Sequence, residues 1–210
     1  MTAEKDGAMV AGNFSSNLGK DDRRAQLREY LNDAREAILW KCEGLSDAQA
    51  RTPLTPTGTH VMGLLLHLAV TESQYFISCL GREIENAVIR HVIEADDAQA
   101  DFLPPPGMTL ADAVKIYRET IDAADAVLDE VELNSPAVVE WWIKHRNTTV
   151  ERLLVHMIAE SHRHAGHLDI VREQLDGFVG LRPSAPNIPD LTPGQWEEQQ
   201  LRLQELADGE

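Results

Sequence analysis

One long helix is predicted over residues 150–176, which read VERLLVHMIAESHRHAGHLDIVREQLD. At about 100° per residue, its main apolar side chains fall within an arc roughly 60° wide. These side chains are Val150, Leu153, Met157, Leu168, Val171 and Leu175. The arc is the face that meets a core, so the rest of the chain must supply the elements that cover it.

The same segment also concentrates ionisable side chains. Glu160 and His164 are four residues apart and fall on or beside the apolar arc. An ionisable pair on a buried face is costly unless it is paired or bound to a metal. The pair can offer an oxygen and an imidazole nitrogen, one turn apart, to the same point in the interior. His156 and His167 lie at the edge of the arc, whereas His162 projects to the far side and is expected to meet solvent.

The size of the chain predicts one domain. With 210 residues and 43% hydrophobic side chains, it can bury one sizeable core. Cys42 and Cys79 lie in predicted helices far apart in sequence, which favours reduced thiols over a disulfide framework. No apolar run is long enough to span a membrane, and the polar start lacks the basic and apolar regions of a signal peptide. A cytoplasmic location is therefore expected.

The charge of the chain argues against two classes of partner. The formal net charge is −16, which would repel phosphate backbones and anionic lipid surfaces. Nucleic acid and membranes are therefore not expected as partners. The acidic run DDAQAD, residues 96–101, is interpreted as a solvated face that keeps the protein soluble.

Hydrophobic periodicity divides the chain into three parts. A flexible leader is predicted over residues 1–21, a helical body over 22–178, and a C-terminal strap with a short helix packing on the body over 179–210. The body contains amphipathic segments at residues 22–43, 60–80, 110–131 and 150–176. Since there is no alternating strand pattern and no internal repeat, these segments predict an all-α four-helix bundle.

Capping residues mark the ends of these helices. Thr59 and Thr109 are the predicted N-caps of the second and third helices, and Asn147 or Thr148 that of the fourth. Gly177 is the predicted end of the fourth helix. Trp196 and the leucines of the short terminal helix are expected to pack on the body.

The connection before the fourth helix reads VVEWWIKHRNTT over residues 138–149. Its β-branched and aromatic residues predict a short extended piece or a loop. Trp141 and Trp142 are adjacent and can cover one end of the bundle. Packing as part of the core or as a lid is preferred for this pair over stacking on a substrate.

A third candidate ligand, His67, stands in the middle of the second helix, which is apolar almost all round in its first half. Helix bundles build metal sites from inward-pointing residues on facing helices. His67 with Glu160 and His164 would give two imidazoles and one carboxylate, a set that suits zinc, nickel, iron or manganese with a coordination position left open. Spacing alone leaves a hydrogen-bonded polar cluster as the alternative. His60 is interpreted as a surface residue at the start of the helix.

Two segments resemble a known family. LLLHLAVTESQYF, residues 64–76, and LLVHMIAESHRHAGHLDIVREQLDG, residues 153–177, are similar to the DinB-like superfamily. The resemblance is to its actinobacterial branch, which is related to mycothiol-dependent maleylpyruvate isomerase, and it covers roughly residues 22–178. It implies an up-down four-helix bundle with a divalent metal, zinc by preference, held by His67, Glu160 and His164. Glutamate followed by histidine is the pattern of the isomerase at the last two positions.

The resemblance also implies the chemistry. It suggests a metal-dependent S-transferase or thiol-assisted isomerase, in which a low-molecular-weight thiol of the mycothiol type and an electrophile meet at the metal. His167 stands where many members have glutamine, so it is a candidate fourth ligand or a hydrogen-bond donor to the ligands. His156 is a candidate for the same supporting position or for an acid-base group. A homodimer is plausible by analogy with the family.

Two other functions remain open at this point. One is a non-catalytic bundle that binds a metal or ligand under stress, and the other is hydrolysis by metal-bound water. An open coordination position beside a pocket would favour an enzyme. A basic residue in that pocket would indicate an anionic substrate, and Arg51, Arg152 and Arg163 are the candidates.

Overall fold

The computed structural model describes residues 20–183 and 185–209. Within these ranges the chain is mostly helical, and the predicted all-α class is confirmed at that level. The predicted leader lies outside the described residues except at its last two positions. The helices are α1 (Lys20–Trp40), α2 (Asp47–Arg51), α3 (Val61–Phe76), α4 (Ala87–Glu94), α5 (Leu110–Glu130), α6 (Val150–Asp176) and α7 (Pro193–Asp208). Short 3₁₀ turns occupy Ser78–Leu80 and Ala100–Phe102.

Helix α3 lies at the centre of the protein because it is apolar on nearly every side. It packs against both α5 and α6, and α1 packs against α6. Of its residues, only His67 and Gln74 are not fully buried. The predicted core face of α6 is also observed, since Val150, Leu153 and Met157 are each exposed by 2% or less. This packing brings the middle of α3 against the ionisable face of α6.

A buried ion pair joins three of the long helices. Arg35 of α1 donates a hydrogen bond to the carboxylate of Glu72 in α3, and both side chains are almost fully buried. Arg35 also pairs with Asp125 of α5 at 2.9 Å. A buried charge is tolerated only when it is paired in this way. Glu72 follows His67 by five residues, which is roughly 140° around α3. The pair therefore fixes α1 and α5 on the side of α3 that faces away from His67.

Two helix caps differ from the sequence prediction. His60, not Thr59, is the N-cap of α3, and it is only 9% exposed instead of lying on the surface. Its Nδ1 lies 2.9 Å from the carbonyl oxygen of Gly58, and its ring packs against Gly63, which has no side chain to exclude it. The cap of α6 is Thr149, whose hydroxyl accepts from the backbone of Arg152, because the preceding residues are paired in a strand.

The other predicted ends agree with the structure more closely. Thr109 and Asp112 form a capping box at the start of α5. Gly177 ends α6 in the left-handed conformation, with φ of 74°. The extended connection is a hairpin in which β1 (Pro136–Val138) pairs antiparallel with β2 (Asn147–Thr149). No helix in the described ranges is both long enough and apolar enough to cross a membrane.

The C-terminal helix does not pack as expected. All described side chains of α7 are exposed, with Trp196 at 40% and Leu201 and Leu206 both at 66%. At about 100° per residue, Leu201 points roughly 140° away from Trp196, whereas Leu203 lies within about 20° of it. Trp196 and Leu203 line a cavity together with Lys41 and Asp169 of the body, but both side chains stay exposed. The strap before α7 does contact the body, since Phe178 packs edge-on against Trp40 at 4.8 Å between ring centroids.

Candidate metal centre

Three side chains on two helices converge at one point. His67 comes from α3, and Glu160 and His164 come from successive turns of α6. One ligand atom from each residue lies within 4.8 Å of the others. Oε1 of Glu160 is 3.0 Å from Nε2 of His164 and 3.7 Å from Nε2 of His67. The structure thus brings together the three residues that the sequence proposes, which are called the ligand cluster below.

The ligand cluster is partly open to solvent. The side chains of His67, Glu160 and His164 are 18%, 26% and 10% exposed. A structural metal site is normally closed by protein ligands, whereas a catalytic site keeps one position for water or substrate. Three protein donors that remain partly exposed to solvent match the arrangement of a catalytic site.

Asp101 fixes the orientation of His67. Nδ1 of His67 lies 2.6 Å from Oδ2 of Asp101. Because a carboxylate only accepts, the imidazole must donate from Nδ1, which leaves the lone pair of Nε2 directed at the ligand cluster. Phe102 stacks on the same imidazole, with centroids 4.7 Å apart and planes 25° from parallel. Metal-ligating histidines are commonly held in this way by a carboxylate behind them.

The expectation that residues 96–101 form only a solvated face is wrong at Asp101, which is half-buried. The reason lies in α3, where Gly63 stands one turn before His67. A Cβ at this position would lie 2.9 Å from the carbonyl oxygen of Phe102. The missing side chain lets the 3₁₀ turn Ala100–Phe102 approach the helix closely enough for Asp101 to reach His67.

His167 lies behind His164 and not in the ligand cluster. The Nδ1 atoms of the two rings are 3.2 Å apart, a hydrogen bond in which one ring donates and the other accepts. While Nε2 of His164 donates to Glu160, its Nδ1 accepts from His167. Binding of an ion at Nε2 would place the proton of His164 on Nδ1 and reverse this hydrogen bond.

His156 and His162 are also outside the ligand cluster. His156 packs between Tyr75 and Trp142, with ring centroids 4.7 Å and 5.0 Å away. His162 is exposed, as predicted, with Nε2 3.2 Å from the carbonyl oxygen of Tyr30. Sequence reasoning missed Tyr75 as part of this region, although it follows His67 by two helical turns on α3.

Comparison with known proteins identifies the family. The pattern that defines the mycothiol-S-transferases matches residues 26–177, well over half of the chain. The chain belongs to the mycothiol-S-transferase family. This family lies within the DinB-like superfamily, so the resemblance seen in the sequence is confirmed. The match runs from α1 to the end of α6 and leaves the strap and α7 outside it. No curated protein matches the sequence.

The pKa shifts at the site favour the forms that bind metals. Burial lowers the pKa of His164, and the charge of His67 adds to this effect. Burial alone would raise the pKa of Glu160, but the hydrogen bond and charge of His164, with His67 and His156, outweigh it and the net pKa is lowered. A neutral imidazole and an ionised carboxylate are therefore available near neutral pH.

The donor set of this mycothiol-S-transferase family member fits a divalent ion. The lone pair of His67 Nε2 faces a carboxylate oxygen of Glu160 across 3.7 Å. Two electron-rich atoms in this arrangement need a positive charge between them, which either a proton or a metal ion supplies. Two imidazole nitrogens and one carboxylate oxygen suit zinc and its neighbours in the first transition row.

The chain's own cysteines are unsuited to supply a nucleophile. Cys42 and Cys79 are both free and buried. Burial raises the pKa of Cys42 to about 12 and that of Cys79 to about 11. Since the thiolate is the reactive form, both are inert at neutral pH. A thiol that reacts at this site must come from outside the chain.

Proposed function

We propose that this protein is a metal-dependent mycothiol S-transferase. In this proposal α1, α3, α5 and α6 form an up-down four-helix bundle, and His67, Glu160 and His164 hold one divalent ion between α3 and α6. The observation that carries the proposal is the convergence of these three donors in a chain whose family transfers mycothiol. Zinc is the first choice because three protein donors leave the fourth tetrahedral position open.

The ion and the surrounding residues have separate tasks. When bound, the ion lowers the pKa of a coordinated thiol, so that the nucleophilic thiolate is present at neutral pH. Asp101 holds the imidazole of His67 in the tautomer that a ligand requires. Phe102 covers one face of that imidazole and keeps water from it. The solvent-exposed side of the ligand cluster is where the external thiol enters.

Metal content tests the first half of the proposal. We expect about one zinc per chain in the wild type, as for a mononuclear site. The variants H67A and H164A should each lose it, because the remaining donors are too few. H162A is the matched control, since His162 lies on the same helix but is exposed and outside the ligand cluster. Elemental mass spectrometry on untagged protein gives the measurement.

Thiol transfer tests the second half. The zinc-loaded wild type and H162A should accelerate conjugation of mycothiol to 2-chloroacetamide, a small aliphatic electrophile, and H67A and H164A should not. A wild type without metal after incubation with zinc, nickel and manganese would overturn the metal site. A wild type with metal but without transfer would favour the non-catalytic or hydrolytic functions instead.

A further inference from the structure

Four aromatic side chains form a second cluster beside the ligand cluster. The aromatic cluster consists of Tyr75 on α3, Trp141 and Trp142 on the hairpin connection, and His156 on α6. The ring of Tyr75 lies 5.4 Å from Trp141, 5.9 Å from Trp142 and 4.7 Å from His156, measured between centroids. The three elements that carry it are far apart in sequence, so the cluster exists only in the folded chain.

The two clusters follow one another along the same pair of helices. On α6, His156 precedes Glu160 by one turn, which is about 6 Å along the axis. On α3, Tyr75 follows His67 by two turns. The ring of His67 contacts His164 at 4.8 Å, just as Tyr75 contacts His156. A molecule that reacts at the ligand cluster and extends along the helices on this side therefore meets the aromatic cluster.

The hydroxyl of Tyr75 accepts two hydrogen bonds, but its proton is not donated to any described residue. The indole Nε1 of Trp141 donates to this oxygen at 3.2 Å, and that of Trp142 donates at 3.1 Å. A phenolic hydroxyl has two lone pairs and one proton, so both lone pairs are taken. Among the described residues, none accepts a hydrogen bond from Tyr75. Tyr75 is 6% exposed as a residue, and a buried donor of this kind calls for a partner.

Trp141 offers a flat surface that is held in place. It is 49% exposed, although its ring is fixed by the hydrogen bond to Tyr75 and by an edge-on contact with the Tyr75 ring. An exposed indole normally loses rotamer entropy when a ligand packs on it, and here the fold has already restricted it. The exposed face is suited to stack on a planar molecule.

The charge near the two clusters favours an uncharged ligand. Asp101 and Glu160 are the acidic groups at this place. Arg51 is engaged elsewhere, because its guanidinium donates to the carbonyl oxygen of Met108. Arg152 and Arg163 are exposed, and no lysine or arginine nitrogen in the described ranges pairs with either cluster. On the hairpin connection itself, Arg146 pairs with Glu140, and Lys144 makes no described contact with either cluster. The charged groups that contact the two clusters are therefore the carboxylates of Asp101 and Glu160.

We propose that the aromatic cluster binds the electrophile, and that the electrophile is a planar, uncharged, conjugated ketone of the quinone or enone class. This inference rests on the proposed function for the identity of the reaction. Trp141 stacks on the conjugated system, and Tyr75 donates its free proton to the carbonyl oxygen in a hydrogen bond. Tyr75 and Trp141 thus position the electrophile next to the thiolate.

The reaction that follows is a conjugate addition. The sulfur lone pair of the thiolate forms a C–S bond with the β-carbon, and the π electrons of the C=C bond shift toward the carbonyl oxygen. The hydrogen bond from Tyr75 stabilises the resulting enolate, where the negative charge develops. The proton that the thiol lost returns to the α-carbon, so an enone gives the saturated thioether. A quinone gives the same adduct, which tautomerises to the hydroquinone thioether, and in neither case is an external oxidant or reductant consumed.

Binding of an unreactive analogue tests the cluster without the reaction. The probe is 1-tetralone, a ketone conjugated to a flat benzene ring and without an electrophilic double bond, titrated into the full-length protein by calorimetry. Trp141→Ala should weaken its affinity about fivefold, the scale of one aromatic contact. Trp141→Phe should restore most of it. Trp196→Ala is the matched control, since Trp196 is similarly exposed at 40% but lies on α7, and it should bind like the wild type.

A second comparison isolates the Tyr75 hydroxyl. Tetralin has the same skeleton as 1-tetralone but no carbonyl, so the wild type should bind the ketone several-fold more tightly, as expected for one hydrogen bond. In Tyr75→Phe the two ligands should bind equally. The proposal is overturned if Trp141→Ala binds 1-tetralone like Trp196→Ala, or if Tyr75→Phe keeps the preference for the ketone.

The two proposals fail in different experiments. Transfer of mycothiol to 2-chloroacetamide depends on the ligand cluster and needs no aromatic surface. Loss of that activity together with normal 1-tetralone binding would leave the aromatic cluster as a ketone site in a protein with another reaction. Normal transfer without 1-tetralone binding would overturn the assignment of the electrophile alone.

Discussion

Asp101 accepts a hydrogen bond from Nδ1 of His67, and this contact decides which nitrogen of the imidazole faces Glu160 and His164. Without the carboxylate, the ring could rotate or adopt the other tautomer, and the lone pair of Nε2 would point into the ligand cluster for only part of the time. Asp101 is therefore not a ligand itself, but it orients His67 so that His67 can act as one.

Replacing Asp101 by alanine should weaken the metal site without abolishing it. We expect D101A to bind zinc about 10- to 100-fold less tightly than the wild type, the usual effect of losing such a partner. Competition with a fluorescent chelator measures the affinity. D96A is the matched control, because Asp96 lies in the same acidic segment but is exposed. Equal affinities of D101A and D96A would show that the orientation of His67 does not depend on the carboxylate.

The ligand-cluster residues on the two long helices could be predicted, whereas the residues that reach them from the 3₁₀ turn and the hairpin connection could not. Glu160 and His164 are visible in the sequence because four residues make one turn, so their convergence is a property of α6 alone. Asp101 reaches His67 from a separate segment 34 residues away, and nothing in DDAQAD distinguishes it from a solvated acid. Tyr75 was hidden in the same way, because its partners stand on the hairpin connection.

The approach of the 3₁₀ turn Ala100–Phe102 to α3 depends on one missing side chain. A Cβ on Gly63 would lie 2.6 Å from Cε1 of His60 and 2.9 Å from the carbonyl oxygen of Phe102. The imidazole of His60 could shift, but the backbone of the turn would have to move as a whole. Such a movement would withdraw Asp101 and Phe102 from His67 together.

Two glycine-to-alanine substitutions in helix interiors should therefore have opposite effects. A Cβ added to Gly166 in α6 would meet no atom within 4 Å, so G166A should stabilise the protein by about 0.5–1 kcal/mol through helix propensity. G63A gains the same propensity but is expected to lose about 1–3 kcal/mol through overpacking. Urea unfolding of the metal-free proteins measures both.

The affinity for zinc is a second measurement that distinguishes the variants G63A and G166A. G63A should also bind zinc more weakly, because Asp101 moves with the turn, whereas G166A should retain the wild-type affinity. If both variants gain stability and keep their affinity, the close contact at Gly63 is not what holds the turn in place.

The positions of the helices could be predicted from hydrophobic periodicity, but the residues at their ends depend on local hydrogen bonds and contacts. Thr109 was predicted correctly because its capping box with Asp112 is encoded within four residues. The cap of α6 was misplaced because pairing of β2 with β1, a contact between separate segments, determines where the helix can begin. The cap of α3 was misplaced because the space beside Gly63 accommodates the ring of His60.

At the scale of the whole molecule, the family match and the packing end at nearly the same place. The match stops at residue 177, and the described side chains of α7 are all exposed. Between them, Phe178 packs on Trp40 and lies 4.3 Å from the guanidinium of Arg172, which is 3% exposed. The strap therefore contributes to the body, whereas α7 does not bury a side chain against it.

Two truncations separate these contributions. A chain that ends at Leu191 lacks α7 and should unfold with a free energy within about 0.5 kcal/mol of the full-length value. A chain that ends at Gly177 keeps the C-cap of α6 but loses Phe178, and it should be less stable by about 1–3 kcal/mol. Chemical denaturation followed by circular dichroism is the measurement. A large loss from the first truncation would mean that α7 stabilises the body through contacts other than buried side chains.

The part of the architecture that could be predicted consists of the helices that bury an apolar surface. Helices α1, α5 and α6 bury one face, α3 is buried on nearly every side, and the structure packs these helices together. In α7, Leu203 and Leu206 lie on the same side as Trp196 and Leu201 lies on the other, yet all of these side chains stay exposed. An apolar face is therefore not sufficient for burial, since that of α7 stays exposed in the structure.

The donors of the ligand cluster stand on two helices, whereas Trp141 and Trp142 stand on the connection between β1 and β2. A connection of this kind tolerates substitutions, insertions and deletions far better than a buried helix. During divergence within the family, natural selection could alter the hairpin and leave α3 and α6 unchanged. New electrophile preferences could then arise by mutation in the hairpin connection, while the ligand cluster on α3 and α6 is preserved.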